Sequence, residues 1–104
     1  MASKRTTRGP LTLVWTQTFL RTARKFVRRH PELEGLLEDV FRQLARDPFV
    51  PRLRLHPLKG RYAGKHAVAL TYDYRIVLIL KLEKKEVVLL DIGTHDEVYR
   101  DAGR

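Results

Sequence analysis

Apolar side chains change their spacing along the chain, and each change predicts a different element. Residues 11–15 form a short apolar run rich in strand-favouring residues, which predicts a first strand. From residue 16 the apolar positions recur with the period of one helical face, and basic residues fill the other face. The apolar positions of this predicted helix are Phe19, Ala23, Phe26 and Val27.

A second helical stripe follows directly. Pro31 ends the first helix and is favoured in the first turn of the next one. The apolar positions of the second stripe extend from Leu33 to Leu44, with acidic residues in the first turn. Asp47 and Pro48 end this helix, because the residue before a proline is disfavoured in a helix. The two helices are expected to form an antiparallel hairpin.

Three further strands are predicted after an irregular, proline- and glycine-containing stretch at residues 48–65. They lie at about residues 66–72, 75–82 and 86–93, separated by short turns. Strands that are grouped late in the chain indicate an α+β fold. The predicted architecture is an N-terminal strand, a helical hairpin and a three-stranded antiparallel run, forming a mainly antiparallel sheet with the helices on one face.

Strand alternation predicts which side chains face away from the helices. The wholly apolar faces of the last two strands are expected to pack on the helices, which leaves Arg75 and, by continued alternation, His95 on the opposite face. In the preceding strand the small Ala67 and Ala69 are expected to sit under the helices, with His66 on the other side. His66, Arg75 and His95 are therefore predicted to converge on one concave surface.

Length and charge narrow the class of protein. The 104 residues are enough for one domain, predicted at residues 11–104 behind a flexible basic arm at residues 1–10. Lys and Arg number 21 against 12 acidic residues, and this excess attracts polyanions such as nucleic acid. The sequence has no cysteine and no apolar run of about 20 residues that could span a bilayer. A cytoplasmic protein with no membrane partner is expected.

Three short motifs resemble one family. They are His-Pro-Leu-Lys-Gly at residues 56–60, Tyr-Asp-Tyr-Arg-Ile-Val at residues 72–77 and Ile-Gly-Thr-His-Asp-Glu-Val-Tyr at residues 92–99. They are similar to motifs of the RelE/ParE toxin superfamily, most closely its YafQ-like and RelE/StbE-type messenger-RNA interferases. The resemblance covers roughly residues 11–100.

The resemblance implies a toxin of a bacterial type II toxin–antitoxin module. Such a toxin cleaves messenger RNA in the ribosomal A site without a metal, is silenced by a cognate antitoxin and can form a hetero-oligomer with it on operator DNA. An alternative on the same fold is a non-catalytic, ParE-type inhibitor of DNA gyrase. A third possibility is an inactive module that serves only in DNA-bound autoregulation.

The resemblance also implies a set of site residues. His56 matches the histidine of the YafQ-like His-Pro-Leu motif, and Arg75 matches the arginine that RelE-type enzymes place at the scissile phosphate. His95 matches the histidine of the Gly-Thr-His motif, and Tyr99 matches the aromatic residue that closes it. The chain departs from its relatives at Val68, where they often carry a second polar group, so activity could be lowered.

Two further positions complete the implied catalytic set. His66 falls where relatives carry a polar or basic residue on the second strand of the domain, and Asp73 matches an aspartate that precedes the third strand. Basic side chains of the irregular stretch are candidates for RNA binding: Arg54, Lys59, Arg61 and Lys65.

Metal-free RNA cleavage needs a base for the 2′-hydroxyl, an acid for the leaving oxygen and a cation for the phosphate. Imidazole suits the first two roles and guanidinium the third. We expect His95 to be the acid, His56 or His66 the base, and Arg75 the phosphate ligand, although Arg75 could instead pair with Asp91 across the strands. Asp73 or Asp91 could orient one of these groups, and Tyr99 could stack on a base or assist proton transfer. No metal-ligand spacing or phosphate-binding loop is present, so no metal or cofactor is expected.

Overall fold

The computed structural model describes residues 4–7 and 9–102, with the backbone alone for residues 99–102. Within these residues six strands form one sheet in the spatial order β1-β2-β6-β5-β4-β3. All neighbours pair antiparallel except β2 and β6, which are parallel. In chain order the strands are β1 (Lys4–Thr7), β2 (Thr12–Trp15), β3 (His56–Pro57), β4 (His66–Ala69), β5 (Tyr74–Lys81) and β6 (Glu86–Thr94). The predicted α+β fold is confirmed.

Two long helices, α1 (Gln17–Arg29) and α2 (Glu34–Arg46), follow β2 and are joined by a short turn that begins at Pro31. Thr16 caps α1, because its hydroxyl accepts a hydrogen bond from the Phe19 backbone N–H at 3.2 Å. Neither helix, nor any other helix in the described part of the chain, is long and apolar enough to cross a membrane.

The main core lies between α1, α2 and one face of the sheet. The Trp15 ring lies 4.6 Å from Phe41 and 5.5 Å from Phe19, measured between ring centroids, so three aromatic side chains join the two layers. The most deeply buried apolar side chains of this core include Leu13, Phe19, Leu44, Leu53, Val68, Ile76, Leu78, Val87 and Leu89.

A third helix, α3 (His95–Ala102), follows β6 directly, in a segment for which the apolar spacing predicts no helix or strand. Thr94 and Glu97 form a reciprocal cap: the Glu97 N–H donates to the Thr94 hydroxyl at 3.2 Å, and the Glu97 carboxylate accepts from the Thr94 N–H at 2.9 Å. A Cβ at Gly93 would lie 2.9 Å from that carboxylate, so glycine permits the close approach. Val98 is fully buried. Gly93 pairs with Arg75, so the Cβ direction at Gly93 points to the face opposite α1 and α2. Because Glu97 and Val98 lie in that direction, α3 packs on this face.

Residues 4–7, which belong to the segment expected to be a flexible arm, instead form β1 along the edge of β2. Arg5 forms an ion pair with Glu86, and the Trp15 indole N–H donates to the Thr6 hydroxyl at 3.0 Å. The Lys4 ammonium lies 5.0 Å from the centre of the Trp15 ring. These side-chain contacts hold β1 in place, and they cannot be inferred from the periodicity of the sequence. Residues 1–3 and 8 of the expected arm lie outside the described residues.

Candidate active site

Arg75 lies in the middle of the sheet face that is turned away from α1 and α2. It pairs with Ala69 on β4 and with Gly93 on β6. Both neighbours are small, which leaves room around the guanidinium group. The Arg75 Nε atom is buried and has no hydrogen-bond partner among the described residues. A buried donor without a partner is costly, and an anion bound beside it would remove that cost.

His56 reaches the same face because it pairs with Ala67, which in turn pairs with Val77. His56 and Arg75 both line a cleft of about 520 Å³, which we call the arginine cleft. The described residues that line it are Arg52, Arg54, His56, Ala69, Leu70, Thr71, Tyr72 and Arg75. The structure therefore brings together three of the residues singled out from the sequence, namely Arg54, His56 and Arg75.

The arginine cleft is strongly cationic. It contains the guanidinium groups of Arg52, Arg54 and Arg75, and none of the described residues that line it is acidic. Guanidinium groups match phosphate oxygens in geometry as well as in charge. The cleft can therefore bind a polyanion backbone.

The backbone at Arg54 determines the tautomer of His56. The His56 Nδ1 atom lies 2.9 Å from the Arg54 carbonyl oxygen. A carbonyl oxygen only accepts hydrogen bonds, so Nδ1 carries the proton of the neutral ring and Nε2 is left as an acceptor. Arg54 itself has a left-handed backbone, with φ of 54°, at the end of the 3₁₀ turn Pro51–Leu53. Such a conformation costs about 1–3 kcal/mol for a residue other than glycine and is often found at functional sites.

The predicted face of His66 is wrong. His66 pairs with Leu78, and Val68 pairs with Ile76, so strand alternation turns His66 toward the helix side of the sheet. Val68 belongs to the core beneath the helices, whereas Ala69 lines the arginine cleft. The larger apolar side chains of β4 take the core face, and the alanines take the other, the reverse of the prediction. His66 and Arg75 therefore project from opposite faces.

The half-buried His66 ring has an altered acidity. Its Nδ1 atom is buried and has no hydrogen-bond partner within the described part of the chain. Burial lowers the pKa of His66 below its ordinary value of 6.5, and a charge on the nearby His56 lowers the pKa further. His66 is therefore neutral at pH 7.

His95 and Asp73 are not among the described residues that line the arginine cleft. His95 begins α3 with an exposed side chain, and its Nδ1 atom lies 3.6 Å from an Asp96 carboxylate oxygen. Asp73 is an exposed turn residue whose backbone N–H donates to the Thr71 hydroxyl at 3.1 Å. Tyr99 lies in α3, and its side chain falls outside the described residues.

The other basic candidates and Asp91 have different surroundings. Lys59, Arg61 and Lys65 lie on the connection between β3 and β4, outside the lining of the arginine cleft. Asp91 is buried, and its carboxylate accepts the Ile92 N–H at 2.9 Å. The ion pairs seen among the described residues do not include one between Asp91 and Arg75.

Sequence reasoning does not single out Arg52 or Tyr72 as site residues, although both line the arginine cleft. For Arg52, its place two residues before Arg54 and four before His56, in the same basic irregular stretch, is a signal that could have found it. For Tyr72, its position beside a turn gives no indication that the ring meets a cationic cleft. The loop geometry that decides this depends on tertiary packing.

A second groove of about 300 Å³ lies between α1, the end of β6 and α3. It contains a contact of 3.2 Å between the Tyr74 hydroxyl and His30 Nε2. Asp91 and Glu97 also line it, and carboxylates repel a phosphate backbone. In the described part of the chain, no group of three or more His, Cys, Asp or Glu residues could hold a metal ion. The arginine cleft is thus the better candidate for polyanion chemistry.

Comparisons with known proteins agree with the fold. A family model described as "Bacterial toxin of type II toxin-antitoxin system, YafQ" matches residues 11–100. A comparison with curated protein sequences gives no match. The match leaves β1 outside the family region and includes every described residue that lines the arginine cleft.

Solved structures share the fold over most of the chain. YafQ from E. coli strain BL21(DE3) is similar with a TM-score of 0.71 at 16% identity, covering 84% of this chain and 96% of that chain. The E. coli DinJ–YafQ complex gives 0.70 at 18% identity, with coverages of 84% and 96%. The toxin–antitoxin complex RelBE2 from Mycobacterium tuberculosis gives 0.63 at 26% identity, with coverages of 80% and 95%.

The lowered pKa of His66 predicts a pH dependence of stability. The unfolded chain takes up a proton near pH 6.5, whereas the folded chain resists protonation at His66. The contribution is therefore fully present above about pH 6.5 and is lost as the pH falls toward the lower pKa of the folded state. We expect His66→Gln to reduce the loss of urea stability between pH 8 and pH 5. Equal pH dependence in wild type and His66→Gln would contradict this assignment.

Proposed function

Because the chain belongs to the YafQ family of bacterial toxins of type II toxin–antitoxin systems, we propose that it is a metal-independent endoribonuclease that cleaves messenger RNA at the ribosome. The observation that carries the proposal is the arginine cleft, in which a histidine with a defined tautomer lies among three arginines. This combination suits cleavage by a neighbouring 2′-hydroxyl, which needs proton transfer and stabilisation of negative charge.

His56 is the proposed general base. Its Nδ1–H is held by the Arg54 carbonyl, so Nε2 is available to take the proton of the 2′-hydroxyl. The same hydrogen bond stabilises the imidazolium that results, because the protonated ring keeps Nδ1–H as a donor. His66, the alternative base, is less favoured because it projects from the opposite face of the sheet.

Arg75 is the proposed ligand of the scissile phosphate. Its small neighbours Ala69 and Gly93 allow a phosphate to approach the guanidinium, and the buried Nε supplies an unused donor. Charge that grows on the phosphorane in the transition state would then be stabilised by a group already in place. Lys59, Arg61 and Lys65 are proposed to bind the flanking RNA backbone.

His95 remains the proposed general acid. It follows Thr94, the last residue of β6, and Thr94 pairs with Tyr74, which precedes Arg75 on β5. His95 therefore lies on the β6 side of Arg75. Three strand spacings, about 14 Å, separate the backbones of β3 and β6, and side chains that approach from both sides narrow that gap. His56 and His95 would therefore approach the phosphate from opposite sides. Asp73, which could orient a catalytic group, and Tyr99, one turn after His95, stay candidates in supporting roles.

A cognate antitoxin is the proposed protein partner. Two of the structures that share this fold contain a second protein: the DinJ–YafQ complex and the toxin–antitoxin complex RelBE2. The net charge of +9 would attract an acidic segment of such a partner. We extend the proposal to a toxin–antitoxin hetero-oligomer on operator DNA and to action in the cytoplasm. The gyrase-inhibitor alternative gains no support from the family match.

Primer extension on a translated message tests the activity directly. Expression of the chain without antitoxin is expected to give discrete cuts within codons. Cleavage by the purified chain is expected to continue when EDTA lowers the free magnesium concentration to the minimum that keeps ribosomes intact.

Arg75→Ala should lower the cleavage rate by about 10²–10³-fold, whereas Arg21→Ala, the same charge change on an exposed face of α1, should not. Gyrase inhibition without cuts would favour the alternative, and a strict need for a metal at the cleavage step would exclude the acid–base mechanism.

His56→Gln tests the proton transfer. Gln keeps a hydrogen-bonding side chain but takes up no proton near neutral pH, so single-turnover cleavage should slow by about 10²–10⁴-fold. The wild-type rate should rise and fall with pH, and the variant should lose the limb that reports deprotonation of the base. RNA affinity should change little. An unchanged pH profile would remove His56 from the proton-transfer step.

A further inference from the structure

Tyr72 has an unusual environment for a large aromatic side chain. It is 96% exposed, compared with 57% for Phe49, the other exposed aromatic ring among the described residues. An isolated exposed apolar residue is common at protein surfaces and needs no explanation by itself. Tyr72, however, lines the arginine cleft, whereas Phe49 does not.

The loop that carries Tyr72 is held by a dense set of hydrogen bonds. The Thr71 hydroxyl accepts the N–H groups of both Asp73 and Tyr74, at 3.1 Å and 3.2 Å. The Leu70 and Thr71 N–H groups both donate to the Tyr74 carbonyl oxygen, at 2.9 Å and 3.3 Å. Tyr72 lies at the tip of this closed turn. The backbone therefore presents the ring at a fixed place on the rim of the cleft, although the ring packs against no other aromatic group in the described residues.

We propose that Tyr72 stacks on a nucleobase of single-stranded RNA whose phosphate is bound in the arginine cleft; this inference rests on the proposed ribonuclease function. An aromatic platform beside a cationic groove is the arrangement by which proteins bind single strands, because each nucleotide offers one flat base and one charged phosphate. The ring and the guanidinium groups of Arg52, Arg54 and Arg75 supply both partners within one cleft.

The surroundings of the ring favour RNA over an acidic protein segment. Aromatic anchors of protein interfaces are typically packed in desolvated centres, with neighbours that exclude water. Here the described lining of the cleft beside the ring is mainly cationic or polar, and Leu70, its one large aliphatic residue, is itself buried. A base can stack on such a ring with its flat face and needs no surrounding apolar pocket.

Fluorescence of 2-aminopurine in a short, 2′-O-methylated, non-cleavable RNA tests the proposal, since stacking quenches this base. Tyr72→Ala should bind this RNA about 5- to 100-fold more weakly than wild type and lose the quenching. Tyr72→Trp should keep both, whereas Tyr72→Leu, which retains apolar surface without an aromatic face, should behave as Tyr72→Ala does. Phe49→Ala is the matched control and should bind as wild type.

The outcomes separate this proposal from the function on which it rests. Wild type that binds and cleaves RNA, together with a Tyr72→Ala variant of equal affinity and quenching, would overturn the stacking role alone. Weaker antitoxin binding by Tyr72→Ala, with RNA binding unchanged, would also overturn it and would assign the ring to the protein partner. Wild type that neither binds nor cleaves RNA on or off the ribosome would overturn the ribonuclease function and the stacking role together.

Discussion

Burial of one face of the central strands under α1 and α2 determines what the other face can carry. Ile76 and Leu78 on β5 and Leu89 on β6 are fully buried in that core. Side chains alternate along a strand, so a shift of one residue would take these apolar groups out of the core beneath α1 and α2 and put Arg75 into it. Exposing the apolar groups and burying the Arg75 charge would each cost free energy of folding, so the register of β5 against its neighbouring strands is fixed. Arg75 is therefore placed between Ala69 and Gly93, with room beside it for an anion.

The edge of the sheet adds the second half of the site. β3 has only two residues, but its pairing with β4 places His56 on the face of Arg75. The preceding turn leaves Arg54 in a left-handed conformation, and its carbonyl oxygen then receives the His56 Nδ1–H. The strained backbone of Arg54 thus determines which nitrogen of His56 carries the proton of the neutral ring. In our account, the core side of the sheet provides rigidity and the opposite face provides the chemistry.

Periodicity predicted the two helices, the order of the late strands and the face of Arg75, because each depends on local spacing of apolar residues. It failed for His66, because the other residues of β4, Ala67 to Ala69, are apolar on both faces and only their fit beneath the helices decides the orientation. It also missed α3, although the spacing of Thr94 and Glu97 is a recognisable cap. The Arg54 carbonyl and the exposed Tyr72 could not be predicted, because a positive φ at a non-glycine residue and the position of a loop depend on distant packing.

An NMR titration of the isotope-labelled chain with a 2′-O-methylated RNA that cannot be cleaved tests the central claim most directly, namely that the arginine cleft is where RNA binds. Binding in the arginine cleft predicts that shift changes concentrate at His56, Ala69 and Arg75, with the hydrogen bond from His56 Nδ1–H to the Arg54 carbonyl already present in the free chain. Changes that concentrate instead at Thr22, Lys25 and Thr94, in the groove beside α1, would contradict it.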